Sequence, residues 1–211
     1  MPSHAEPDRI IEILRPDRCP LCFLLSDYAH EHVRNLLEES VTDPVSRDAL
    51  FDSRGFCRRH AWKGVAQGQA LGMAVIYSSL LEKGLREVRS KPRLFGKKNH
   101  RPCPICRSEE KRDLWAVRQF ALSWSESEAL RTAFGEKGIL CLGHLERTLD
   151  QRMGTIVRSA LYEAGKKALG RLLKELNEFL EKQDYHRSLE TIGQERDAWV
   201  RAVRMIAGER E

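Results

Sequence analysis

Two short phrases recur in this chain at a fixed register. CPLC at 19–22 returns as CPIC at 103–106, and CRRH at 57–60 returns as CLGH at 141–144, with one constant offset for every position. All 6 cysteines fall inside these phrases. Cysteines that serve only as small core residues have no reason to recur in step with a histidine. Three thiolates and one imidazole make a complete tetrahedral donor set, and Cys-x-x-Cys places two sulfurs on one ion within a single turn. The spacing therefore predicts two Cys3His metal sites, one per copy: Cys19, Cys22, Cys57 and His60, then Cys103, Cys106, Cys141 and His144.

A chain path can close each quartet. The stretches between half-sites, 23–56 and 107–140, are equal in length. A helix leaving Cys22 travels about 27 Å to residue 40, a ten-residue helix returns about 15 Å, and four loop residues add about 13 Å. Zinc is the first expectation for such a donor set, and a [4Fe–4S] cluster held by three cysteines and a histidine is the alternative. Neither copy reads Cys-x-x-Cys-His, so covalent haem is not indicated.

Lys, Arg, Glu, Leu and Ala dominate the remainder, and no stretch alternates long enough for a strand, so the expected class is all-α. Residues 1–18 form a lead-in with a short helix near Ile10–Leu14. The first copy, 19–89, reads as a long, a short and a second long helix. Pro20 opens the first, with Leu25, Ala29, Val33 and Leu36 on one face; Asp43 caps the short one and Gly55 closes it. Cys57 then starts a helix whose inward stripe is Leu71, Ala74, Ser78, Leu81, Leu85 and Val88. Gly64, Gly68 and Gly72 predict close approach of a neighbouring helix, the alternative being a cavity or ligand groove along that small-residue face.

Residues 90–102 form a basic linker, and 103–183 repeat the plan. Leu114, Val117, Ala121 and Trp124 share a face, and Ser125 with Glu128 reads as a capping box for the short helix. A long helix from Cys141 then carries Leu145, Leu149, Met153, Ile156 and Ala160. Residues 184–211 add a helix from Thr191 bearing Trp199, Val203 and Ile206. It has no counterpart in the first copy and is expected to cover an apolar surface.

The formal charge of +5 is local. Arg89, Lys91, Arg93, Lys97, Lys98, Arg101 and Arg107 lie between Glu87 and Glu109 with no acid among them. Arg89, Lys91, Arg93, Lys97, Lys98 and Arg101 are the candidate nucleic-acid contacts, with Arg58–Arg59 beside the first Cys-x-x-His. No apolar run reaches the roughly 20 residues of a membrane span, and no signal peptide is evident, so the expected setting is cytoplasmic. No phosphate-cradling glycine loop or nucleophile elbow is present, and the reading leans away from an enzyme.

The stretches CPLC, GFCRRHAW, LGMAVIYSSLLEKGL, CPIC and GILCLGHL resemble an uncharacterised bacterial family of duplicated Cys-Pro-x-Cys and Cys-x-x-His units. The resemblance covers about residues 15–180 and implies an intracellular, largely helical protein with no implied activity. Leu142–Gly143 stand where the first copy has Arg58–Arg59, which predicts different surroundings for the two sites. Three functions follow as expectations: a metal-stapled helical scaffold for a protein partner, a redox or metal sensor, or a nucleic-acid-binding protein.

Overall fold

Proline at the first helical position opens four of the α-helices in the computed structural model, which describes residues 7–89, 101–183, 191 and 193–209. These four are α1 (Pro7–Ile13), α2 (Pro20–Glu38), α3 (Pro44–Ser53) and α6 (Pro104–Glu126). Between them stand α4 (Arg58–Ala66) and α5 (Ala70–Arg89); after them come α7 (Glu128–Lys137), α8 (Leu142–Leu149), α9 (Thr155–Glu181) and α10 (Ala198–Ala207). No strand occurs among the described residues. The chain is an all-α protein built on a duplicated helical unit.

Several ends form as the sequence dictates. The Asp43 carboxylate accepts from Ser46 N at 2.8 Å, and α3 stops at Arg54 and Gly55, both with positive φ. The short helix of the second copy is capped two residues later than expected. Ser127, not Ser125, accepts from Leu130 N at 3.1 Å, while Ser125 is still inside α6 and donates to Ala121 O. At the C-terminus, residues 194–197 make a 3-10 turn, and the helix expected from Thr191 begins only at Ala198.

The helices expected to run unbroken from Cys57 and Cys141 are each two helices. Gly68, at φ +72°, turns the chain between α4 and α5, and residues 150–154 separate α8 from α9. Apolar spacing hides such breaks when the periodicity resumes in phase on the other side. The reversal lets α4 pack on α5 and α8 on α9. Close approach does occur at two of the three glycines. A Cβ on Gly72 would stand 2.3 Å from the Leu37 carbonyl oxygen, and one on Gly64 would press on Leu37 and Met73.

Two compact units emerge, and their boundaries fall inside α2 and α6 instead of at the ends of the sequence copies. One unit comprises the residues up to Ser26 and those from Asp113 onward; the other is Asp27–Arg112. The first has a core of Ile10, Leu14, Leu21, Val117, Phe120, Trp124, Phe134 and Leu161, with Phe120, Trp124 and Phe134 in mutual ring contact. There α10 packs on α9, burying Ala198 and Met205. The second unit gathers Val33, Leu36, Leu37, Leu50, Phe56, Ile76 and Ile105.

Some expected core stripes face outward. On α5, Met73, Ile76, Tyr77 and Leu80 turn inward, while Leu71, Ala74, Ser78, Leu81 and Leu85 are exposed. Leu114, Ile156, Ala160, Trp199, Val203 and Ile206 are exposed as well. The Val88 side chain lies outside the described residues.

Candidate metal centres

Cys57 and Cys141 hold the N-cap positions of α4 and α8 without a side-chain cap bond, which leaves both sulfurs available. Three residues on, His60 and His144 lie on the same side of the first turn, so each Nδ1 meets its own cysteine, at 3.3 and 3.1 Å. Cys19 and Cys22, and Cys103 and Cys106, bracket the first turns of α2 and α6 in the same way.

The eight side chains form two groups, but the partners are exchanged between copies. Cys19 and Cys22 stand with Cys141 and His144, whereas Cys103 and Cys106 stand with Cys57 and His60. In each group the four ligand atoms lie within 4.8 Å of one another. The within-copy quartets expected from spacing are therefore corrected. The physical reason is where the return path goes. A 19-residue helix spans about 28 Å, and α3 packs beside its C-terminal half, with Leu50 in one core with Val33, Leu36 and Leu37. Gln67 and Gln69 also bond α2, at the His30 carbonyl and the Glu38 carboxylate. The chain thus reaches Cys57 at the far end of α2 from Cys22, in the unit where α6 begins.

The spacings suit one ion per group. His144 Nδ1 lies 3.4, 3.3 and 3.1 Å from the sulfurs of Cys19, Cys22 and Cys141, and Cys22 Sγ is 3.6 Å from Cys141 Sγ. His60 Nδ1 lies 3.3, 3.6 and 3.5 Å from those of Cys57, Cys103 and Cys106, with Cys57 Sγ 3.7 Å from Cys106 Sγ. Metal–sulfur bonds near 2.3 Å and metal–nitrogen bonds near 2.0 Å give tetrahedral edges of about 3.5–3.8 Å. Each Cys3His group can therefore hold a metal ion.

Both imidazoles are fixed from behind. His60 Nε2 is 3.1 Å from Glu109 Oε1, and Arg59 bonds the other Glu109 oxygen. His144 Nε2 is 3.0 Å from Asp113 Oδ1, and Arg147 Nη1 donates to Asp113 Oδ2. A carboxylate on the far nitrogen orients the ring and raises its basicity as a ligand. Motif spacing did not reveal Glu109, Asp113 or Arg147. The available signal was placement of the acids on α6, one and two turns beyond Cys106. The expected difference between the sites takes a specific form. Arg59 immediately precedes its histidine, whereas Arg147 follows His144 by one turn and replaces the missing basic pair.

Without metal, these groups hold protons unusually. Burial alone would lower His60 and His144, yet hydrogen bonds to Cys103 and Glu109 raise the first to about 9. Bonds to Asp113, Cys141 and Cys22 raise the second to about 11. Burial would raise Cys103, but His60 and the backbone N–H groups of Cys106, Cys57 and Ile105 pull it to about 6. Hydrogen bonds from Cys19 and Cys22 depress Cys141 strongly, while burial pushes Cys19 well up and drives Cys106 to about 12. Glu109 and Asp113 both fall below the ordinary carboxylate range, because bonds to histidine and arginine outweigh their burial.

Of the candidate nucleic-acid contacts, Lys91, Arg93, Lys97, Lys98 and the Arg89 side chain lie outside the described residues. Arg101 is described and pairs with Asp52 at 3.4 Å. Among the described residues no helix is long and apolar enough to cross a membrane.

Fold and site together define a class: duplicated all-α proteins with two buried Cys3His groups, each orienting its histidine through a carboxylate–arginine pair. The chain belongs to the family of unknown function DUF6062, which matches residues 10–99 and again 93–211. It is also similar to an uncharacterised 23.9 kDa protein from the xynA 3′ region of Caldicellulosiruptor sp. (strain Rt8B.4). That protein is 29% identical over 202 residues, spanning 94% of this chain and 99% of the relative. No solved structure matches the chain.

Proposed function

We propose that this protein is a helical interaction scaffold closed by two structural zinc ions. The observation that carries the reading is the donor geometry: in each group three sulfurs and one Nδ1 lie within 4.8 Å of one another, at S–S and S–N separations that match the edges of one tetrahedron, with every corner supplied by the chain. Structural zinc sites use four protein ligands, whereas catalytic ones keep a position open for water. Cluster irons each take one ligand, so a cubane needs its ligands spread more widely than the edges around one ion. When bound, the ions would supply crosslinks between the starts of α2 and α8 and between those of α4 and α6, with no reaction step required of them.

Metal analysis and an absorption spectrum of protein purified without air test this. The expected result is colourless protein with two zinc ions per chain, and a brown iron-containing sample would contradict it. A sensor is the second reading, supported by the partial exposure of Cys22, Cys57 and Cys106, which gives peroxide a route to sulfur. Under that reading, peroxide releases metal and lowers helicity together; retention of both ions through oxidation supports the scaffold.

A further inference from the structure

Among the described residues, the duplication leaves one apolar face without the cover its counterpart has. In the unit containing α9, Ala168 and Leu172 are buried, Leu169 packs against the same core, and α10 lies along the helix. Counting back by the offset between the copies turns Ala168 and Leu169 into Gly84 and Leu85 on α5. Apart from adjacent residues and the surrounding backbone of α5 itself, no described atom lies within 4 Å of a Cβ built on Gly84, and Leu85 is 61% exposed. Among the described residues the first copy has no helix equivalent to α10.

The uncovered face is extensive and helical in its spacing. Leu71, Ala74, Ser78, Leu81 and Leu85 recur three or four residues apart over about 21 Å of α5. Beside them, Ala61, Trp62, Val65, Met73, Ala74 and Tyr77 line a groove of about 460 Å³ between α4 and α5. Trp62 is 65% exposed and Leu71 80%. Large contiguous apolar surface of this kind marks an interaction site, and a groove between helices suits an amphipathic helix anchored at i, i+3, i+4 and i+7.

Charge selects the occupant. Residues 58–86 carry five cations (Arg58, Arg59, Lys63, Lys83 and Arg86) against the single acid Glu82. With Arg59 paired to Glu109 and Lys83 over the Phe51 ring, Arg58, Lys63 and Arg86 set the sign of the rim. Two copies meeting face to face would bring like rims together.

We propose that the α4–α5 face docks an amphipathic helix of a protein partner whose polar flanks are acidic. The proposal rests on the scaffold reading and names the surface through which it acts.

The test uses the zinc-loaded full chain and two synthetic helical peptides, each about five turns long. Both carry leucine at i, i+3, i+4 and i+7; one is flanked by glutamate, the other by lysine. Trp62 emission reports docking, and Trp62→Phe assigns the signal. The glutamate peptide is expected to give a saturable blue shift that weakens with salt, and the lysine peptide to bind at least about 10-fold less tightly. The double variant Leu81→Glu/Leu85→Glu is expected to lose about 10-fold or more in affinity with helicity and zinc content unchanged, since both side chains are exposed.

Absence of saturable binding, or equal binding of both peptides, overturns the proposal. So does a concentration-dependent dimer that the double variant dissolves, which identifies a second copy as occupant. Binding of phosphatidylserine vesicles without peptide binding likewise overturns it in favour of a membrane surface. Zinc content measured on the same sample separates failure of this proposal from failure of the scaffold reading.

Discussion

Glu109 and Asp113 show how residues outside a motif complete it. Each accepts from a histidine Nε2 and binds an arginine, so the ring is held with Nδ1 turned toward three sulfurs. Glu109→Gln and Asp113→Asn should each weaken metal binding about 10- to 100-fold at the adjoining site, measured by chelator competition. The ligands themselves were legible because sulfur and imidazole recur in register; the carboxylates were not, because a helix rich in Glu and Asp offers many equivalents. Protonation gives a second expectation. At pH 7.5 the metal-free chain holds protons on His144 (about 11), His60 (about 9), Cys106 (about 12) and Cys19 (raised), so zinc must displace them. Zinc addition should therefore release at least two protons at each site, and affinity should fall as pH falls. Calorimetry in buffers of different ionisation enthalpy measures this; binding without proton release would contradict it.

At the scale of the element, α5 contains a matched pair of tests. Gly72 lies against the Leu37 carbonyl, whereas Gly84 has open space around it. Gly72→Ala should destabilise its unit by about 1–3 kcal/mol by forcing α5 off α2. Gly84→Ala should stabilise the protein by about 0.5–1 kcal/mol, since alanine removes only helix-interior glycine entropy. Urea unfolding of the zinc-loaded variants checks both signs. Helix positions in α2, α3 and α6 followed from proline, aspartate and apolar period. The division into α4 and α5 did not, because Gly68 stands among Gly64 and Gly72 and only backbone conformation separates a turn from a close contact. The outward stripe on α5 was likewise read as core: amphipathic spacing identifies an apolar face but not whether anything covers it.

For the whole molecule, the informative result is that sequence copy and structural unit differ. Each long helix that follows a Cys-Pro-x-Cys carries the chain out of the unit in which it starts, so the matching Cys-x-x-His comes from the other copy. Internal register established that eight ligands form two equivalent groups; it had no bearing on which halves combine, because both pairings preserve the offset between copies. Residues 1–89 alone should then fail to form either Cys3His group, and mixing them with residues 90–211 should restore helicity and two metal ions per pair. A stably folded 1–89 fragment holding one ion would argue for within-copy sites. The most direct measurement is proton–cadmium correlation NMR on the full chain loaded with cadmium-113. The expected spectrum has two cadmium resonances, one coupled to the Cys19, Cys22 and Cys141 β-protons and the other to those of Cys57, Cys103 and Cys106. A single resonance coupled to Cys19, Cys22 and Cys57 would contradict the exchanged pairing on which this account of the fold is built.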